Sequence, residues 1–285
     1  MKVAVTGATG FIGSHVVAEL SRRSAETIAV VRDAARIPEE WRCTVCTMDI
    51  SETEDETLAS IGSPDAVIHL AWGGLPNYNS MRHIETELPC QYRFLSRLVK
   101  EGLRTLLVAG TCFEYGMQYG PLKEDYEARP STPYGYAKNA LRVQLEYLRK
   151  EYPFNFTWGR LFYLYGEGQP PSTIYSQLRE AVRQGRECFD MSGGEQLRDY
   201  LPIEDAASLL VDLALKETDA GVLNVASGCP VSIRSLVERW IRENGWEIQL
   251  NFGCFPYPAY EPMAFWGDVK KLSDLKRGTE HEKTL

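Results

Sequence analysis

Short runs of β-branched and other apolar residues alternate with stretches of helical length through the first half of the chain. The runs are Lys2–Thr6, Thr27–Val31, Thr44–Met48, Ala66–Leu70, Thr105–Ala109 and Phe156–Leu161. A strand that is apolar throughout is buried on both faces, and a parallel return to the same sheet needs a crossover, usually a helix. The pattern therefore predicts βαβ units and an α/β fold built on a Rossmann-type doubly wound parallel sheet. After Gly159 the texture changes: Gly166–Pro171 opens a loop, a helix is predicted over about 172–184, and Ser192-Gly193-Gly194 opens a second loop. Gly221–Ala226 reads as a further strand returning to the main sheet. The expected organisation is a sheet domain made of 1–160 plus about 199–226, interleaved with a smaller C-terminal lobe made of about 161–198 plus 227–285.

The chain has 285 residues, 44% hydrophobic and 25% charged, which is ordinary globular composition and excludes collagen-like or disordered chains. Its 31 Lys and Arg against 39 Asp and Glu give a net charge of −8. Nucleic acid and anionic membrane are therefore not the expected partners, and an anionic ligand needs a local positive site. No apolar run reaches the roughly 18 residues of a spanning helix, and the Met1–Val5 start enters a strand pattern instead of a signal peptide. Seven scattered cysteines fit free thiols in a reducing cytoplasm better than a disulfide framework. Cys43 and Cys46 form one CxxC without a second ligand pair, so no metal is expected.

The first strand runs into Gly7-Ala8-Thr9-Gly10-Phe11-Ile12-Gly13 and then a helical pattern over His15–Arg23. Glycines in this spacing between a first strand and a first helix predict a dinucleotide site. Gly7 permits the turn, Gly10 lets backbone approach a pyrophosphate, and Gly13 lets the helix pack closely. The end of the second strand, about 20 residues further on, normally offers a carboxylate to the ribose of NAD. Here it reads Val30-Val31-Arg32-Asp33, with Arg32 at the strand tip. A guanidinium there suits a 2′-phosphate, so NADP(H) is favoured; NAD(H) is the alternative, should Asp33 turn inward.

Ser131-Thr132-Pro133-Tyr134 opens a helix, with Ser131 or Thr132 as its cap and Pro133 in the first turn. Tyr134 and Lys138 fall on one face of it, where an ammonium can lower a phenol's pKa from about 10 and also hold a cofactor ribose. Another strand ends at Val108-Ala109-Gly110-Thr111, placing a hydroxyl at the carboxyl edge where open α/β sheets bind ligands. Thr111 can donate a hydrogen bond to a substrate oxygen while Tyr134 moves the proton.

With these residues in view, the chain resembles the extended short-chain dehydrogenase/reductases of the nucleotide-sugar epimerase/dehydratase/reductase family. The resemblance covers nearly the whole chain. Besides the glycine turn and Tyr134–Lys138, it rests on Met48-Asp49-Ile50, Val67–Trp72, Thr111–Gly116, Arg160–Gly166, Arg198–Asp205, Leu223–Gly228 and Phe265–Lys271. It implies catalytic roles for Thr111, Tyr134 and Lys138, and a homodimer formed through helices near 79–100 and 134–150. It places cofactor contacts at Gly7, Gly10, Phe11, Ile12, Gly13 and Arg32. Further cofactor contacts fall to Asp49, Ile50, Leu70, Ala71, Trp72, Lys138 and Phe162. The implied substrate is a nucleotide-diphospho-sugar met by Thr111, Cys112, Phe113, Tyr134, Tyr163 and Arg198, the last at the diphosphate. His69 reads as a core strand residue, His15 as helix surface, and the aromatics of 154–165 as core.

Departures from the family pattern narrow the reaction. Dehydrating members carry an acid pair directly after the catalytic threonine, whereas here Cys112 and Phe113 follow it, leaving only Glu114 one position on. The family's RLFN asparagine is Tyr163 here, and the usual arginine is missing from Cys254–Pro262, so diphosphate or sugar binding must differ. With Arg32, these features favour NADP(H)-dependent reduction of a nucleotide-linked 4-keto-(deoxy)sugar over an NAD-dependent 4-epimerase. A non-catalytic NAD(P) sensor would have no use for Tyr134 and Lys138 together.

Overall fold

Successive side chains of a strand point to opposite faces, and in the first strand Val3 and Val5 enter one core while Ala4 enters another. The computed structural model describes residues 1–52 and 57–281. The first half contains β1 (Lys2–Thr6), α1 (Phe11–Arg22), β2 (Glu26–Val31), β3 (Thr44–Thr47), α2 (Thr57–Ser60), β4 (Ala66–His69), α3 (Leu88–Lys100), β5 (Thr105–Thr111), β6 (Gly120–Leu122) and α4 (Pro133–Glu151). There follow β7 (Asn155–Leu161), β8 (Tyr163–Tyr165), α5 (Ile174–Arg183), β9 (Cys188–Asp190), β10 (Leu197–Pro202) and α6 (Ile203–Leu215). The chain continues through β11 (Gly221–Val225), β12 (Pro230–Ser232), α7 (Ile233–Asn244), β13 (Gln249–Asn251), β14 (Phe265–Gly267) and α8 (Lys270–His281).

The seven-stranded sheet has the order β3-β2-β1-β4-β5-β7-β11, and its strands are parallel throughout. This is the α/β fold expected from the alternating pattern. Gly221–Val225 joins the sheet as anticipated, pairing with β7 from Gly221 opposite Thr157 to Val225 opposite Leu161. Apolar stripes of α1 and α6, including Val16, Leu20 and Leu210, cover one face. Phe94, Leu98, Leu141 and Leu145 of α3 and α4 cover the other. Strand order reverses between β1 and β4, which opens a crevice at their carboxyl ends.

The helix anticipated over 79–100 begins later. Residues His83–Glu87 form a π-helical turn that runs into α3 without a break, Glu87 itself being helical, and Pro89 sits just after the junction, where it lacks the N–H of a regular helical hydrogen bond. Beyond the sheet, β8, β10 and β12 form a small sheet, while β9 pairs with β13 and β6 with β14. Leu178 of α5, Phe189 of β9 and Leu236 and Trp240 of α7 give this region its own core. Asp199 ties the parts together: its buried carboxylate accepts hydrogen bonds from the backbone N–H groups of Ser227, Gly228 and Gly267.

Candidate active site

The crevice begins at the glycine turn. Gly7 has a φ of 69°, and a Cβ there would lie 2.9 Å from the Ala71 nitrogen. A Cβ on Gly13 would lie 2.2 Å from the Gly7 carbonyl oxygen, so a side chain at either position is excluded by backbone. Gly10 caps α1 without a side-chain hydrogen bond, and the first turn carries no acidic residue. The helix therefore presents unpaired N–H groups and the positive end of its dipole. A cradle too tight for a side chain and lined by backbone donors fits the pyrophosphate of a dinucleotide. Ala71 also donates to the Thr6 hydroxyl, Leu70 packs on the core beneath α1, and Ile50 packs on the opposite core.

At the outer edge, Arg32 is exposed at the end of β2. Asp33 does not turn inward: its carboxylate caps the short turn Ala34–Arg36 by accepting from the Ala35 N–H at 3.0 Å. Asp49 accepts from the backbone N–H and hydroxyl of Ser51 at 2.9 and 2.7 Å. These bonds, with a smaller contribution from the Arg32 charge, hold its carboxyl below the usual carboxylate range.

Thr132 caps α4 by accepting from the Gly135 N–H at 3.1 Å, which sets the helix so that both Tyr134 and Lys138 are buried. Aromatic rings surround Tyr134, with His83, Tyr78, Trp72 and Phe113 centred 5.2, 5.5, 6.0 and 6.1 Å away. Burial pushes its phenol well above the ordinary value, opposite to the lowering expected from the ammonium of Lys138. Thr111 ends β5, and its own oxygen accepts from the Phe113 N–H.

The Lys138 ammonium donates to the Ala109 carbonyl at 2.8 Å and lies 4.0 Å from the centroid of the Trp72 ring. Trp72 in turn donates to Nδ1 of His83 at 3.1 Å. Burial lowers the Lys138 pKa to about 7, against opposition from Glu114 and Glu87. The unfolded chain keeps a lysine protonated to about 10.4, so above about 7 the native state binds fewer protons and stability from this group rises with pH up to that value. Lys138→Met abolishes the titration. Urea unfolding should show the stability of the wild type gaining more than about 1 kcal/mol on that of the variant between pH 7 and about pH 9.5. An unchanging gap would contradict this origin of the shift.

A buried chain of hydrogen bonds supports the crevice from behind. Thr6 meets Nδ1 of His69 at 2.9 Å, Nε2 of His69 meets Gln91 at 2.7 Å, and Gln91 donates to Glu87 at 3.2 Å. Glu87 also accepts from the Gly73 N–H at 2.9 Å, anchoring the loop that follows Trp72. Burial lowers the His69 pKa to about 3, which keeps the ring neutral in its core position.

Between sheet and lobe lies a cavity of about 500 Å³, whose wall includes Phe11, Ile12, Thr111, Cys112, Phe113, Tyr134, Phe162 and Tyr163. Arg198 does not line it. Its guanidinium is 2% exposed and bound to Glu261, with Nε and Nη2 donating to Oε2 at 3.3 and 2.9 Å. Glu114 is also committed: its carboxylate accepts from the Thr111 N–H and from Trp158 and Arg160, at 2.9, 2.8 and 2.8 Å. It therefore has no free oxygen for the acid role left open to it. Tyr78, Tyr260 and Glu261 also line the cavity and belong to no motif in the sequence. A loop tyrosine or glutamate carries no local periodicity that would mark it. Cys43 and Cys46 are free, half-buried thiols, and burial raises both pKa values. Among the described residues no cluster suited to a metal ion is found, and no helix is long and apolar enough to cross a membrane.

A glycine turn at the switch point of a parallel sheet, with a threonine, tyrosine and lysine gathered beside it, defines an extended short-chain dehydrogenase/reductase. The chain belongs to the NAD dependent epimerase/dehydratase family, whose sequence profile matches residues 3–226. It is 30% identical over 271 residues to dTDP-6-deoxy-L-talose 4-dehydrogenase (NAD(+)) of Aggregatibacter actinomycetemcomitans, covering 94% of this chain and 99% of that protein. It is 27% identical over 257 residues to dTDP-6-deoxy-L-talose 4-dehydrogenase (NAD(P)(+)) of Kitasatospora kifunensis, covering 86% and 79% of the two chains. Among solved structures, MoeE5 in complex with UDP-glucuronic acid and NAD superposes with a TM-score of 0.79 at 28% identity, covering 96% of this chain and 92% of that one.

Proposed function

We propose that this protein is an NADP(H)-dependent oxidoreductase that reduces the 4-keto group of a nucleotide-diphospho-(deoxy)sugar. The carrying observation is a buried tyrosine that lines the cavity together with Thr111, and whose burial keeps the phenol protonated. A proton donor for carbonyl reduction must hold its proton until the alkoxide forms. When bound, the nicotinamide supplies the hydride. Tyr134 gives its proton to the substrate oxygen, and the Thr111 hydroxyl orients that oxygen. The Lys138 amine, when protonated, favours the phenolate left behind and a bound ribose. Two relatives bear the name of a 4-dehydrogenase acting on a dTDP-6-deoxysugar, which is the same redox change at C4 written in the oxidative direction.

In this reading the sheet domain holds the cofactor and the C-terminal lobe holds the sugar nucleotide. Arg32 receives the 2′-phosphate, since Asp33 is occupied by its own turn. Exposed Tyr136 and Tyr147 on α4 fit pairing of two copies through α3 and α4, and seven free cysteines fit a reducing cytoplasm. Arg32→Asp should move cofactor preference from NADPH toward NADH in kcat/KM; an equal loss with both would remove Arg32 from the 2′-phosphate site. The decisive assay offers dTDP- and UDP-linked 4-keto-6-deoxysugars with each cofactor separately. Absorbance at 340 nm and product stereochemistry by NMR are then read. Consumption of added NADPH supports the reductase. Epimerisation by protein that purifies with NAD bound would make it an epimerase, and neither activity would leave a sensor.

A further inference from the structure

An anionic substrate meets an unexpected wall in this cavity. Among the described residues that line it, Glu261 is the one charged side chain, and there is no lysine or arginine. Arg198, a buried cation, is paired with this Glu261 and is already satisfied. Besides its two bonds to Glu261, its Nη1 donates to the carbonyls of Leu197 and Met263 at 2.9 and 3.3 Å. The Phe265 ring lies 4.5 Å from its guanidinium carbon. Next to this pair the Tyr163 hydroxyl is buried without a hydrogen-bond partner of good geometry, an arrangement a folded protein seldom leaves unfilled.

We propose that Glu261 is an internal anion occupying the phosphate site of the substrate, and that a nucleoside diphosphate binds by taking its place on Arg198. This rests on the nucleotide-sugar reading above. Removing the carboxylate exposes Nε and Nη2 of Arg198, and with the Tyr163 hydroxyl these make a set of donors suited to a phosphate. The exchange replaces one anion with another on a buried guanidinium, so Arg198 is unpaired only in passing. The carrier of Glu261 is built to move. Its segment joins β13 to β14 without a regular element, held at its ends by Cys254 N–H to the Met191 carbonyl and Leu197 N–H to the Met263 carbonyl. None of residues 255–261 is buried. Moving them leaves the buried core in place and gives up the ring contacts of Tyr260 with Tyr78 and Phe113 at the cavity wall.

Glu261→Gln tests the exchange, because the amide keeps the shape and loses the charge. By calorimetry at fixed salt, dTDP should bind the variant about tenfold more tightly than the wild type, through relief of like-charge repulsion. Binding of thymidine, which has no phosphate, should not change. Equal or weaker dTDP binding by the variant would overturn the exchange while leaving the nucleotide site intact. Equal gains for dTDP and thymidine would also overturn it. If neither wild type nor variant bound dTDP or UDP, the nucleotide-sugar reading would fail and the exchange with it.

Discussion

Tyr134→Phe should lower kcat by about 100-fold or more with a nucleotide 4-keto sugar, and leave NADPH affinity within about twofold. The reason lies in the surroundings of the ring. Burial among Tyr78, Trp72, His83 and Phe113 holds the phenol protonated and fixes its plane, and phenylalanine fills the same space. Only the exchangeable proton is lost. Thr111 remains at the cavity wall, but an alcohol hydroxyl is intrinsically a weaker acid than a phenol. Stopped-flow hydride transfer and equilibrium NADPH titration separate the two effects. Undiminished turnover would remove Tyr134 from the chemistry and with it the proposed reduction.

Arg160→Leu should destabilise the fold by about 3–5 kcal/mol in urea unfolding, because it leaves the Glu114 carboxylate buried without its counter-charge. The two side chains are 2% and 0% exposed and meet at 2.8 Å, and the guanidinium carbon lies 4.4 Å from the Tyr115 ring centroid. Glu114 also completes a capping box with Thr111, so a carboxylate that drew in water would loosen Thr111 as well. Loss of stability and of kcat should therefore appear together. A change under about 1 kcal/mol would mean that Glu114 takes up a proton or water at little cost once Arg160 is gone, and would contradict the counter-charge role given to Arg160.

These two residues illustrate different degrees of legibility. Tyr134 is marked in the sequence because its spacing to Lys138 is local: a helix fixes which positions share a face. Glu114 was readable only as a question, whether it reached the reacting centre. Trp158 and Arg160, on a neighbouring strand, took its oxygens. The family resemblance assigns Arg198 to a diphosphate, while the carboxylate it meets in the fold stands 63 positions further along the chain. Asp33 lay between two roles until the Ala35 N–H claimed it.

By itself, the order of residues determined the parallel sheet, the glycine turn that excludes side chains, and the cap and face of the helix bearing Tyr134 and Lys138. All of these follow from spacing within a strand, a turn or a helix, where covalent geometry fixes neighbours. Only the tertiary structure decided that Tyr78 and Tyr260 wall the cavity, that Glu87 anchors the loop that follows Trp72, and that Glu261 neutralises Arg198. Those pairings depend on which distant loops the sheet and lobe bring within hydrogen-bonding distance, and no local period records that approach.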